Sequence, residues 1–536
     1  MNNSVKQDVD EIATMDAPKK LWEWGPYFWQ NVLFPCKNET QALSRVKLTS
    51  IVLLVILPGL LLYPTISYYL LEPDEGRYAQ IPREMVLTGD WVVPHLQGEP
   101  YLDKPPLFYW LVAISYHIFG VSEAAARLIP AIAVHLTILC IYLIGRRSLG
   151  ERAALWGALL LTVIPGFTGV ARLLVLDGLL TFFVTLGLLS IYESIRTPQF
   201  RRFWWYLGAT AVGAGILTKG PIPLLLILPV VIAYRWISGN ATSIPRKHLL
   251  GAAAILCIIN FPWYFAIYLR EPVFLRYFFW EHNILRFIKP FDHLEPVWFY
   301  LPIVVGSVAT VVLFPLIYFR QWIFRAVDET PYRTKEHGFF LMAGLWCIFF
   351  FSMSGCKLPT YILPAFPPLM LALGHFLVLS GRHRTKLVQG GTTFAWIFLA
   401  FAIHVVVPWY AELRSPMGPQ NVAQRLQRAD DEKVYCFPRN VDSVAFYTGR
   451  NDLQSLRSKH SQKLVMAIEN DGKALVLFTH SHSLETFKQV LPPHMKVTEA
   501  MPARHQGTGF RWLDGLIGET PWGLCDIAVV ERIDNK

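Results

Sequence analysis

The chain has 536 residues, of which 53% are hydrophobic and only 16% charged, whereas an average soluble domain carries roughly 25% charged residues. Runs such as 51–62 and 221–234 are apolar on every face, which excludes the amphipathic periodicity of an ordinary soluble enzyme and points to a membrane solvent. The net charge of +10 does not imply nucleic acid, because the Lys and Arg residues are scattered between apolar runs and form no patch or stripe.

From the N-terminus, residues 1–47 read as a cytoplasmic or interfacial tail. Asp8, Asp10 and Glu11 precede any apolar stretch, so this is not a cleavable signal. The segment 21–34 carries Trp22, Trp24, Tyr27 and Trp29, a composition that suits a membrane interface. Membrane spans are expected near 48–70, 126–144, 153–170, 173–194, 203–217, 220–237, 249–268, 296–319, 337–352, 359–380 and 391–409. The stretch 105–120 is shorter and opens on Pro105 and Pro106, which reads as a re-entrant or surface helix, or as a twelfth span. With the N-terminus inside, alternate connections carry Arg146, Arg147 and Arg152, then Arg196, Arg201 and Arg202, then Arg235, Arg246 and Lys247. Arg320, Arg325, Arg333 and Lys335, then Arg382, Arg384 and Lys386, continue the series. Short basic connections follow the positive-inside rule, provided 105–120 does not cross.

The transmembrane domain is thus expected over 48–410, with outer loops at 71–104 and 269–295, and an extracytoplasmic domain over 411–536. Strand-like runs at 433–437, 443–447, 474–478 and 527–530 read as a small α/β fold. The fold class is an α-helical polytopic membrane protein of about 11–13 transmembrane helices carrying that C-terminal domain. Seven cysteines show no CxxC pair. Cys436 and Cys525 both fall in the tail, where an oxidising compartment would let them pair.

The outer loops hold the residues that can do chemistry. The first opens on Glu72, Asp74, Glu75 and Arg77; one of these acids serves as a base, metal ligand or sugar-orienting group, or the run is a solvated loop with Pro73 and Gly76 as turn formers. Asp103 and Lys104 stand before the re-entrant stretch, where a lysine is either a phosphate-binding point charge or a snorkelling cation. Asp177 lies between apolar runs, and a carboxylate at membrane depth costs roughly 2.5–3.5 kcal/mol on insertion scales, so it is functional or paired, with Arg172 the nearest partner in sequence. Lys219 caps a tight outer turn and reads as structural. In the later loop, Glu281, His282 and Arg286 would place His282 and Arg286 on one helical face, to meet an anion; His282 with Asp103 or Glu281 could also hold a divalent metal. Lys357 and Tyr361 add a cation and a hydroxyl at the outer rim. Acids among cations beneath aromatics suit an anionic lipid headgroup whose phosphate is neutralised while a sugar is displaced.

At these residues the sequence resembles the C-type membrane glycosyltransferases, most closely the bacterial lipid A aminoarabinose transferase group, relatives of the protein O-mannosyltransferases. The resemblance is carried by Pro73-Asp74-Glu75-Gly76-Arg77-Tyr78-Ala79, Gly89-Asp90-Trp91-Val92-Val93-Pro94, Asp103-Lys104-Pro105-Pro106, Phe279-Trp280-Glu281-His282 with Arg286-Phe287, and the run from Lys357 through Tyr361 to Pro364. It implies a GT-C fold and transfer of a sugar, such as 4-amino-4-deoxy-L-arabinose, from a polyprenyl-phosphate donor to a lipid or glycan acceptor such as lipid A. It places catalytic acids at Asp74 and Asp177, donor-phosphate contacts at Lys104, Arg286 and Tyr361, and a divalent metal such as zinc at Asp103 and His282. Arg77, Glu281 and Lys357 are further candidates. Membrane lipids are expected partners, with the active site and tail on the periplasmic side of a bacterial inner membrane. Two positions depart from the aminoarabinose group: Asp103 where Glu is common there, and Gly76 where Thr is common. A transferase acting on protein or another glycan, and a lipid or sugar transporter, are the competing readings; no internal repeat of the transporter kind is evident.

Overall fold

The computed structural model describes residues 46–238, 242–289, 293–311, 334–417, 420–428, 432–456, 461–479, 483–501 and 525–533. The expected interfacial segment 21–34, part of the span 296–319 and the basic loop with Arg320, Arg325 and Arg333 lie outside these residues. The chain is a polytopic helical membrane protein with a small C-terminal sheet domain.

The membrane helices follow the apolar runs. They are α1 (Leu48–Leu62), α4 (Glu123–Leu149), α5 (Glu151–Val163), α6 (Asp177–Ile195), α7 (Arg202–Lys219), α8 (Ile222–Ser238), α9 (Arg246–Arg270), α10 (Tyr300–Ser307), α11 (Lys335–Met353), α12 (Phe366–Leu379) and α13 (Lys386–Phe401). Side chains from α1, α4, α5, α6 and α12 form a continuous buried core, whereas α9 leaves most of its apolar surface exposed, as a lipid-facing helix does. Between α1 and α4 lie α2 (Asp74–Thr88), the hairpin β1 (His95–Leu96) and β2 (Glu99–Pro100), and α3 (Leu107–Phe119).

The stretch read as re-entrant is α3. Its 13 residues span about 20 Å at 1.5 Å per residue, the same length as α5, so its place is set by its contacts. Its far end packs against α2 and the C-terminal domain. Tyr116 donates to the Ala79 carbonyl on α2 at 3.1 Å, and its ring lies 6.4 Å from Phe446 of the C-terminal domain. Ser122 then caps α4 by accepting from the Ala125 N–H. The basic residues collect at the opposite ends: Glu193 on α6 takes Arg147, Arg196 and Arg201 in one cluster.

The C-terminal domain is a five-stranded mixed sheet, ordered β4-β3-β5-β7-β6, from β3 (Val434–Phe437), β4 (Gln454–Ser455), β5 (Lys473–Phe478), β6 (Met495–Met501) and β7 (Asp526–Arg532). Period-two alternation divides its apolar residues. Val434, Cys436, Leu475, Leu477, Ile527 and Val529 face one core; Tyr435, Val476, Phe478, Ala528 and Val530 face the other. Cys436 and Cys525 are both buried, and the expected disulfide between them is not formed. The run 443–447 was expected as a strand and is instead helix α14 (Asp442–Thr448), ended by Gly449 in a left-handed conformation. Its apolar residues are contiguous, and the helix buries Val444 and Ala445 on the sheet while turning Phe446 to the membrane domain.

Candidate active site

The loop after α1 opens on three acids within four residues, and the fold gives each a separate task. Glu75 turns inward. It accepts from Arg127 at 2.9 and 2.6 Å and from the Leu71 and Leu174 N–H groups at 2.9 and 2.8 Å, while Arg127 also donates to the Ile66, Tyr68 and Tyr69 carbonyls. Removing one partner of such a buried pair costs about 3–5 kcal/mol, because the other charge is left uncompensated. Glu72 turns to the C-terminal domain and accepts from the Ser443 N–H at 2.6 Å. Only Asp74 points into the open, with half of its side chain exposed and Arg77 Nη1 3.7 Å away. Arg77 also reaches Asp442 at 3.9 Å.

These contacts need Gly76. A Cβ there would stand 2.5 Å from Glu72 Oε1 and 2.6 Å from the Ser443 nitrogen, so the absence of a side chain lets the domain seat on α2. Gln80 and Arg83, one turn on, bond the Arg450 carbonyl at 2.9 and 3.0 Å and continue the seam. The Gly89-Asp90 motif has a scaffold role: Asp90 accepts from the Val92 and Val93 N–H groups and binds Arg270 through two hydrogen bonds of 2.6 and 2.8 Å.

Opposite Asp74 the cavity is cationic. Lys104 Nζ lies 2.6 Å from His282 Nε2, and Arg286 Nη1 lies 3.1 Å from the same nitrogen. The loop supplying His282 is a π-helix (Arg276–Leu285), whose wider turn brings Tyr277 round to donate to Asp103 at 2.7 Å. Burial lowers the Lys104 pKa to about 7, with Asp103 opposing and Lys219 and Arg286 adding to the fall. Burial and then the Lys104 charge hold His282 down at about 3. His282 is therefore neutral, its Nε2 lone pair receiving both cations.

Asp177 opens α6 and pairs with Lys219 at the end of α7, 2.5 Å away. The expected partner Arg172 instead donates to the Leu61 carbonyl. Lys219 also lies 4.3 Å from the centre of the Tyr361 ring, so the residue read as a structural cap sits inside the site. Gly220 makes this possible: its backbone is left-handed, and a Cβ there would meet the Phe278 ring at 2.8 Å. The local Thr-Lys-Gly-Pro string gave the turn but carried no signal for these distant partners.

One cavity of about 1200 Å³ gathers Asp74, Arg77, Asp103, Lys104, Asp177, Lys219, His282, Arg286 and Tyr361, together with residues of the C-terminal domain. Below it a slot runs past Lys104, Lys219 and Arg286 between Ile222, Phe278, Phe287 and Phe351. Two candidates stand apart. Lys357 is buried and donates to the Glu295 and Ser354 carbonyls at 2.8 and 2.5 Å, pinning its loop and not facing the cavity. Glu281 is exposed and pairs with Arg276 at 3.6 Å.

Asp103 and His282 share this wall, but as a donor set they do not fit a resident divalent metal. The His282 Nε2 lone pair is taken by Lys104 and Arg286, and no third ligand-type side chain joins the two among the described residues. No step below is routed through a metal.

Comparison with known proteins places this geometry in context. Residues 103–265 match the family model for dolichyl-phosphate-mannose-protein mannosyltransferases. The chain is 34% identical over 355 residues to undecaprenyl phosphate-alpha-4-amino-4-deoxy-L-arabinose arabinosyl transferase 1 of Pseudomonas fluorescens, covering 65% of this chain and 60% of that protein. It is also 34% identical over 386 residues to the corresponding transferase of Pseudomonas aeruginosa, covering 68% of this chain and 66% of that one. The chain thus spans about 60% of the length of the P. fluorescens relative. Among solved structures it is similar to ArnT from Cupriavidus metallidurans bound to undecaprenyl phosphate, with a TM-score of 0.70 at 19% identity, over 90% of this chain and 98% of that one.

Proposed function

The chain belongs to the C-type membrane glycosyltransferases, and from that premise we propose that it transfers a sugar from a polyprenyl-phosphate carrier to an envelope acceptor, with 4-amino-4-deoxy-L-arabinose and lipid A as the pair. The observation that carries this reading is the cluster of Lys104, Lys219 and Arg286 where an apolar slot meets a polar cavity. In this reading the donor's phosphate meets the cations, the first carbons of its polyprenyl chain lie along the slot, and the sugar projects into the cavity toward Asp74 and Asp177. A transporter has no need for a cationic cluster set beside Asp74 and Asp177 in one cavity.

In the proposed reaction an acceptor oxygen attacks the anomeric carbon in line. A new carbon–oxygen bond forms, the bond from that carbon to the phosphate oxygen breaks, and polyprenyl phosphate leaves with the electron pair. Lys104 and Arg286 stabilise the charge growing on the phosphate, in a buried site where such contacts are strongest. Asp177 holds Lys219 toward Tyr361 at the same end. Asp74 takes the proton of a hydroxyl acceptor; a phosphate acceptor is already ionised, and Asp74 then positions the Arg77 guanidinium that meets it. The cavity lies at the start of α6 and the end of α7, opposite the Glu193 basic cluster. By the positive-inside rule this supports a periplasmic active site in the inner membrane.

Binding of undecaprenyl phosphate to the purified protein in nanodiscs tests the donor half. Saturable binding that is lost in Lys104→Ala is expected. Equal binding by that variant and the wild type would remove the central role given to Lys104.

A further inference from the structure

The cavity has two chemically different ends, and the mechanism above uses only the inner one. The outer lip is composite. On one side is the turn of the β1–β2 hairpin, whose Gln97 and Gly98 N–H groups are held by the buried Glu84 carboxylate at 2.8 and 3.1 Å. On the other is the segment of the C-terminal domain leading into β4, the edge strand of its sheet. The two sides meet where the Leu453 N–H donates to Gln97 Oε1 at 3.3 Å.

The charges of this lip are already committed. Arg77 is shared between Asp74 and Asp442, and Asp452 holds Arg450 at 2.8 and 2.7 Å. Glu99 also lines the lip, and the groups beside it are neutral and able to hydrogen-bond. Asn451 and Gln454 are exposed, with no side-chain partner among the described residues. The Gln97 amide nitrogen is buried without a partner, on a residue whose φ of +57° is uncommon outside glycine. An unsatisfied buried donor costs about 1–3 kcal/mol unless a ligand accepts from it, and strained residues concentrate at ligand clamps.

We propose that Gln97, Asn451 and Gln454 form a subsite for a sugar ring of the acceptor, reading its hydroxyl or amide groups and leaving its phosphate unrecognised. Primary amides both donate and accept, which matches a ring whose substituents do both. A phosphate here would face Asp452 and Glu99 with no uncommitted cation. The subsite rests on the transferase reading and gives the C-terminal domain its part in that reaction: it presents the acceptor from outside while the donor enters from the membrane.

The test uses the full-length protein in nanodiscs and three probes: dephosphorylated lipid A, inorganic phosphate and undecaprenyl phosphate. Dephosphorylated lipid A is expected to bind the wild type, and Asn451→Ala with Gln454→Ala to weaken that binding roughly three- to tenfold per hydrogen bond lost. Both variants are exposed, so the fold is kept, and undecaprenyl phosphate is expected to bind them unchanged. Unaltered binding of dephosphorylated lipid A by the double variant overturns the subsite alone. Competition by inorganic phosphate, with no binding of the dephosphorylated lipid, also overturns it. Failure of the wild type to bind undecaprenyl phosphate overturns the transferase reading and the subsite with it.

Discussion

Lys104 Nζ lies 2.6 Å from His282 Nε2, joining two loops whose residues are 178 apart in sequence. Burial, with Lys219 and Arg286 nearby, makes this a lysine that gives up its proton near neutrality.

The first prediction concerns that proton. The Lys104 pKa is lowered to about 7 from an ordinary value near 10.5, so the empty cavity holds the cation below pH 7 and loses it above. Affinity for undecaprenyl phosphate is expected to fall roughly 25-fold between pH 6.5 and 8.5, the change in the protonated fraction of a group of pKa about 7. Lys104→Arg keeps its charge throughout and should show a flatter profile. Equal pH profiles for the two proteins would contradict the lysine's role.

Lys219 and Asp177 act as a pair. Lys219→Ala and Asp177→Asn should each lower turnover by about 10- to 100-fold, and the double variant should be little worse than either, because contacting residues couple. Multiplicative losses in a kinetic double-mutant cycle would show that the two act separately.

Glu72 gives a stability prediction of defined sign. Burial first, then the neighbouring Asp442, raise its pKa from about 4.5 to about 8. Its contribution is fully present below the unfolded value and is lost as pH rises through 8. The C-terminal domain should therefore be held less firmly at pH 8.5 than at pH 6. Glu72→Gln removes the charge, and should raise the unfolding temperature at pH 8.5 by at least ~2 °C relative to wild type, with a smaller gain at pH 6. A gain independent of pH would point to a cause other than this carboxyl.

Gly76 sits where α2 and the C-terminal domain approach closely. Gly76→Thr would drive a side chain onto Glu72 and the Ser443 nitrogen, so limited proteolysis should release the C-terminal domain several times faster. An unchanged cleavage rate would show that the seam can accommodate the side chain.

Much of this was legible in the sequence because it is set by local chemistry. Unbroken apolar runs gave the membrane helices, and the two prolines ahead of a short apolar stretch gave the surface helix α3. Asp74, Lys104, His282 and Arg286 were legible because outer-loop charges beside aromatics have few structural reasons to be there. What stayed hidden depends on contacts between distant segments. Lys219 looks like a turn cap until α6 brings Asp177 to it. Lys357 looks like a free cation until the 293–295 segment supplies a carbonyl. The segment 443–447 reads as a strand, because its contiguous apolar residues cannot reveal that they face two separate domains. Gln97 has no signal in sequence, since its interest lies in a backbone angle and an unmet hydrogen bond.

The most direct test supplies purified protein with radiolabelled undecaprenyl phosphate-4-amino-4-deoxy-L-arabinose and unlabelled lipid A. Label is expected on lipid A with release of undecaprenyl phosphate, and none with Lys104→Ala or Asp74→Asn. Label that remains on its carrier and only changes leaflet, or near-normal transfer by either variant, would contradict the account.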